Sequence, residues 1–290
     1  MSIERHGTTR RYSDVVARGD FLAEKIDMIG VFDSGIGGLS VLAAIARVLP
    51  RSDLSYLADM AHVPYGNKND AYIRERVLHI GRYLVEQQKC LPLVVACNTA
   101  TAAAVAALRE SLPHIDVVGV EPGVKPAAAA SKSGHIAVLS TESTARSERL
   151  ARLIQRHAGP VRVDILPCPG WATKVESLQL DEPDFAETAR RLLEPVLAVG
   201  ADHIVLGCTH YAFLAPVLEP IVAGRAALVD VADAVARQCQ RLVGVEDAGG
   251  RRSLTLLATA HPERLSRALN VLGQESLAAR LTGPAILVNV

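Results

Sequence analysis

The chain is 290 residues long, with 31 Lys+Arg balanced by 31 Asp+Glu and only 4% aromatic residues. A neutral chain this poor in rings offers neither the positive field that draws nucleic acid or an anionic membrane nor the platforms on which bases stack, so neither is expected as a partner. No apolar run reaches the ~18 residues that span a bilayer, and the five cysteines (Cys90, Cys97, Cys168, Cys208, Cys239) form no C-x-x-C pair, which predicts reduced thiols in a cytoplasmic protein.

Residues 1–27 are polar and Arg-rich and read as a leader or a mobile arm, with folded structure starting at Met28. Residues 29–32 predict a strand, Asp33-Ser34-Gly35-Ile36-Gly37-Gly38 a tight turn, and 39–49 a helix stopped by Pro50. Such a turn lets backbone N–H groups approach an anion. It is not a nucleotide motif, since Ser40 stands where G-x-G-x-x-G needs its last glycine; a carboxylate ligand is the reading left open. Asp33 at the strand end orients a substrate ammonium or a neighbouring base, or else is an ordinary turn cap. A strand at 54–57 leads into a loop holding Pro64-Tyr65-Gly66, and a helix follows with Ile73, Val77, Ile80 and Leu84 on one face.

Leu93-Val94-Val95-Ala96-Cys97 then predicts a buried strand that ends on a thiol and passes straight into a helix reaching about residue 112. A strand at 117–120 is broken by Glu121-Pro122-Gly123, where the chain is expected to cross into a second domain. That half repeats the first: strand 136–139, polar turn 140–144, helix 146–157, strand 163–166, a Cys168-Pro169-Gly170-Trp171 loop and helix 185–199. Ile204-Val205-Leu206-Gly207-Cys208 then echoes the Cys97 strand, and a strand follows at 228–231. The return comprises helix 232–243, strand 254–258, helix 262–272 and a last strand near 285–288. The alternation predicts an α/β fold: two similar doubly wound domains with mainly parallel sheets, related by a pseudo-twofold, with the active site between them. The first would take 28–120 plus 230–290, the second 121–229.

Two thiols at equivalent strand ends suggest a paired role. A helix N-terminus can lower the pKa of a cysteine placed there, and thiols on opposite sides of a substrate carbon would remove a proton from one face and return one to the other. Taken singly, a free cysteine is more often inert packing. A zinc site at Cys208-Thr209-His210 lacks a second ligand pair nearby in sequence, and a serine hydrolase lacks its G-x-S-x-G. A cysteine hydrolase pairing His210 with Cys97 or Cys208 stays open, although such an enzyme has no use for a second thiol.

Asp33-Ser34-Gly35-x-Gly37-Gly38, Pro64-Tyr65-Gly66, Cys97-Asn98-Thr99-Ala100, Glu121-Pro122-Gly123 and Gly207-Cys208-Thr209-His210-Tyr211, in that order, resemble the bacterial glutamate racemases from Met28 to the C-terminus. The resemblance implies interconversion of L- and D-glutamate, supplying D-glutamate for peptidoglycan, with no cofactor and no metal, in a protein that forms homodimers. It implies that Cys97 and Cys208 are the catalytic thiols, assisted by Asp33 and His210. Asp33, Ser34, Tyr65, Gly66, Asn98, Thr99, Thr141, Thr144, Thr209 and His210 match positions that hold the substrate, and Glu176 matches a further acidic residue beside the site. Thr209-His210-Tyr211 looks like the glutamate branch, since Glu commonly follows Cys-Thr in the aspartate branch. His62, Trp171 and Val231 depart from the family's common pattern at the entry loop and the domain contact.

Overall fold

The computed structural model describes residues 28–180, 183–243 and 251–290; the leader expected at 1–27 lies outside them. Strands β1 (Met28–Asp33), β2 (Asp53–Ala58), β3 (Leu93–Val95), β4 (Val117–Gly119), β9 (Leu254–Ala258) and β10 (Ile286–Leu287) form a parallel six-stranded sheet in the order β10-β9-β2-β1-β3-β4. A second parallel sheet takes β5 (His135–Ser140), β6 (Arg162–Pro167), β7 (His203–Leu206) and β8 (Ala227–Val229) in the order β6-β5-β7-β8. The run β2-β1-β3-β4 is thus repeated as β6-β5-β7-β8. In both, chain order reverses between the first and third strands of the unit, where side chains beyond the carboxyl ends face a crevice.

Side-chain alternation divides the core into three layers. Ile29, Val31, Tyr56 and Val94 on one face of the large sheet join Ala137, Leu139, Ile204 and Leu206 of the small sheet in one continuous cluster. Phe32, Leu57, Leu93 and Val95 point the other way, against α2 (Asp70–Glu86) and α3 (Asn98–Ser111). Ile136, Val138 and Val205 face Val124, Ala127 and Leu150 on the far side of the small sheet. Helices α1 (Leu39–Val48) and α10 (Ala232–Val243) return chain to the large sheet's inner layer through Val41, Ile45, Val235 and Cys239.

Several short helices replace predicted loops. Val124–Ala130 (α4) and Glu142–Arg146 (α5) have 7 and 5 residues, and Trp171–Glu176 (α7) has 6, too few to display a helical period. Ala215–Val222 (α9) carries Pro216 near its start and Pro220 inside, so its sequence reads as punctuation. The expected strand at 228–231 stops at Val229, because Asp230 turns the chain by accepting the Val231 and Ala232 N–H groups through Oδ1. The remaining long helices are α6 (Glu148–His157), α8 (Pro183–Ala198) and α11 (Pro262–Val271).

Gly207 carries the chain from β7 to Cys208, and a Cβ there would lie 2.5 Å from the Leu139 carbonyl oxygen. Backbone cannot yield as a side-chain tip can. Gly207→Ala is therefore expected to cost about 1–3 kcal/mol by overpacking, read as a lower urea midpoint with an unchanged m-value.

Candidate active site

The site begins where β1 ends. Asp33 is fully buried; Gly38 N–H donates to its Oδ2 at 2.7 Å, and the Ser34 hydroxyl lies 3.5 Å from Oδ1. The glycines of this turn are required by what sits on them. A Cβ at Gly35 would fall 1.9 Å from Glu176 Oε1, and one at Gly37 would fall 2.3 Å from His210 Nδ1. The turn does receive a carboxylate, but the chain's own: Ile36 N–H donates to Glu176 Oε1 at 2.8 Å. Two amides of the turn, those of Ile36 and Gly38, are thereby taken by Glu176 and Asp33.

Cys97 follows β3 and is the N-cap of α3; Ala100 N–H points at its sulfur at 3.4 Å, and the thiol faces Ser34 Oγ at 3.8 Å. Burial pushes the Cys97 thiol well above its ordinary range, and the charges of Asp33 and Cys208 push the same way. The Ala100 N–H and the Ser34 hydroxyl oppose this without overcoming it. The helix start therefore acts in the expected direction, but desolvation wins and keeps Cys97 a protonated thiol.

Cys208 follows β7 at the matching position, and its sulfur lies 3.6 Å from His210 Nδ1. His210 Nε2 faces Glu176 Oε1 at 2.6 Å. Burial works against a charged imidazole, but the Cys208 sulfur and the Glu176 carboxylate outweigh it and hold His210 well above its usual range. An imidazolium is also the form with a donor on each nitrogen, and each nitrogen faces an acceptor. Asp33 is raised by burial, although the His210 charge and the Gly38 N–H pull it back.

Next to Cys97 along the chain stand an amide and a hydroxyl. Thr99 Oγ1 is 3.1 Å from Thr141 Oγ1 and 3.3 Å from Thr144 Oγ1, which joins the Cys97 helix to the start of α5. Asn98 is buried, and neither Nδ2 nor Oδ1 meets a protein partner. Buried polar atoms are nearly always paired, so an amide with neither end engaged is free to address a ligand. Gly66 presses on Thr141, where an added Cβ would come to 3.1 Å, and Thr209 is buried with its carbonyl accepting from Ser40 Oγ at 3.4 Å. Tyr65 is buried too, and its phenol donates to Asp59 Oδ2 at 2.6 Å.

Of the residues singled out from the motifs, contacts and mutual charge effects join Asp33, Ser34, Cys97, Cys208 and His210 in one set and Gly66, Thr99, Thr141 and Thr144 in another, while Asn98 and Thr209 adjoin the thiols in sequence and Tyr65 is tied to Asp59. Three further residues build the site without a motif to mark them: Asp59 and Arg76 behind Tyr65, and Arg264, whose guanidinium grips the Glu176 carbonyl at the end of α7. Of the departures, Trp171 packs edge-on to Phe185 and Tyr211 at 5.0 and 5.5 Å, His62 pairs with the Tyr72 hydroxyl, and Val231 contacts the turn at Gly123. Trp171 thus supports Tyr211 of the second thiol motif, while His62 and Val231 make loop contacts away from both motifs. Among the described residues no cluster of His, Cys, Asp and Glu suits a metal ion.

Comparison with known proteins agrees with this geometry. The family model for Asp/Glu/Hydantoin racemases matches residues 29–239. A glutamate racemase of Pseudomonas putida is 46% identical over 261 residues, covering 88% of this chain and 97% of that protein, and one of Pseudomonas aeruginosa is 46% identical over 247 residues, covering 84% and 93%. Among solved structures, Escherichia coli glutamate racemase in complex with L-glutamate and the activator UDP-MurNAc-Ala superposes with a TM-score of 0.76 at 33% identity, covering 85% of this chain and 95% of that one. The Thermus thermophilus enzyme in complex with β-chloro-D-alanine gives 0.74 at 34%, covering 91% and 98%. With matched thiols at repeated strand ends and likeness along nearly its whole described length, this chain belongs to the Asp/Glu/Hydantoin racemase family, within its glutamate racemases.

Proposed function

We propose that the protein interconverts L- and D-glutamate by two-base proton transfer at Cα, with Cys97 and Cys208 on opposite faces of the carbon and no cofactor. The observation that carries this reading is the pair of buried thiols at equivalent strand ends, near enough for the Cys208 charge to act on Cys97, with Ser34 Oγ 3.8 Å from the Cys97 sulfur and His210 Nδ1 3.6 Å from the Cys208 sulfur. One thiolate takes the α-hydrogen as a proton, and the opposite thiol delivers its own proton to the other face. The pair then holds the reversed protonation, which suits it to the other enantiomer. The resemblance to relatives named for glutamate, and the bound L-glutamate of the Escherichia coli neighbour, favour that substrate.

An amino-acid α-proton is a very weak acid, so the carbanion must be met by donors already in place. Asn98, Thr99, Thr141, Thr144, Thr209 and Ser34, together with the N–H groups at the start of α3, supply them here, with Gly66 closing the pocket against Thr141. Asp33 and His210 set the charge around the thiols. Burial strengthens every one of these contacts and keeps water from competing for the proton. The same reading places the protein in the cytoplasm as a homodimer feeding D-glutamate to peptidoglycan synthesis; among the described residues no helix is long and apolar enough to cross a membrane.

In D2O, newly formed enantiomer is expected to carry deuterium at Cα from the first turnover while the remaining substrate stays largely protiated, followed by NMR and circular dichroism. Cys97→Ala and Cys208→Ala are each expected to lower kcat by at least about 100-fold, the low end for removing a positioned acid or base; racemisation at near wild-type rate in either variant would sink the pairing. Glu176→Gln keeps the acceptor for Ile36 N–H but removes a charge that holds the proton on His210. The imidazolium is then lost at lower pH, so the alkaline limb of kcat/KM should move down by about one pH unit or more, and an unmoved limb would exclude this role for Glu176.

A further inference from the structure

The Pro64-Tyr65-Gly66 segment reaches the pocket from a loop, and a loop must be held if it is to present a defined surface. The hold is a buried carboxylate. Asp59, just beyond β2, is fully buried and receives four hydrogen bonds on two oxygens. Tyr65 OH at 2.6 Å and Arg76 Nε at 3.1 Å donate to Oδ2; Arg76 Nη2 at 2.8 Å and Thr259 Oγ1 at 2.9 Å donate to Oδ1. Thr259 Oγ1 also accepts the Ala61 N–H at 3.0 Å, which fastens the loop at a second point. Arg76 spends its remaining arm on the Val290 carbonyl at 2.6 Å. Its side chain is 11% exposed, so the forked pair with Asp59 is shielded from water.

We propose that Arg76 is a positioning residue for glutamate binding: through Asp59 it fixes the Tyr65 ring, and with it the Gly66 backbone that closes on Thr141. A guanidinium fork suits this task better than an ammonium. It fills one lone-pair site on each carboxylate oxygen in a fixed plane, leaving the Tyr65 and Thr259 hydroxyls one defined acceptor direction each. Without it, the carboxylate would be buried with half its bonds and free to rotate or take up a proton, and the phenol would lose its anchor. The anchor also commits the Tyr65 proton to Asp59. Because Arg76 touches none of the reacting atoms, its effect falls on how firmly substrate is held.

The inference rests on the glutamate racemase reading, and the experiment separates the two. Arg76→Lys, Arg76→Leu and Thr259→Val are assayed in both directions with L- and D-glutamate, together with the double variant Asp59→Asn/Arg76→Gln, in which two amides replace the buried ion pair. Arg76→Leu is expected to raise KM for both enantiomers about 10-fold or more with kcat changed less than about threefold, the pattern of lost binding common to ground and transition states. Arg76→Lys and Thr259→Val should move KM the same way by smaller factors, and the double variant should recover most of the loss. If Arg76→Leu does not fold, the lysine and threonine variants carry the test with the same criterion. Unchanged KM in folded variants, or a loss confined to kcat or to thermal stability, overturns the positioning role; failure of the wild type to racemise glutamate overturns the reading beneath it.

Discussion

Everything in this pocket depends on one close approach: the turn from Asp33 to Gly38 lies bare against Glu176 and His210, which come from the smaller sheet's half of the chain. At Gly35 and Gly37 even a methyl group would overlap those side chains. The approach lets Glu176 use a backbone N–H from one sheet to orient an imidazole on the other. It also brings Asp33, Glu176 and His210 into a dry interior, where each charge is felt strongly by the next.

That interior explains why two chemically identical thiols are not equivalent. Cys97 has a helix amide at its sulfur but no cation, and burial dominates; Cys208 has an imidazole whose own charge is secured by a carboxylate. A reversible proton transfer benefits from this asymmetry, because each thiol has its own polar partner in place before substrate arrives. The arrangement lowers stability. Ionisable groups and an unpaired Asn98 amide are placed where apolar residues would pack at less free-energy cost, as is usual where a fold concedes stability to chemistry.

Around this polar centre the scaffold is conventional. Aliphatic alternation on parallel strands separates three layers, and the aromatic group of Trp171, Phe185 and Tyr211 wedges α7, α8 and the short helical turn after Cys208 together. Tyr211 OH donates to the Cys168 carbonyl at 3.3 Å, so the phenol of this wedge is satisfied. The wedge fixes the backbone that carries Glu176 on one side and His210 on the other. Trp171 is thus a packing solution beneath the site.

The alternation of buried strands and amphipathic helices, the repeat of a thiol at two strand ends and the glycine-rich turn were all legible in the order of residues, because each is a local pattern of period or backbone freedom. Most strands were placed within a residue or two for that reason. Short helices such as Trp171–Glu176 and the proline-bearing Ala215–Val222 were not, since they owe their form to what they pack on rather than to propensity. A lone glycine-rich turn reads the same whether it awaits a ligand or seats the chain's own Glu176, and an isolated strand-end cysteine suggests a lowered pKa until burial is known. Which carboxylate meets which amide, that burial raises the Cys97 thiol, and how Asp59 joins Tyr65 to Arg76 and Thr259 were decided only by tertiary structure, because these interactions join residues far apart in sequence and take their strength from the water that folding removes.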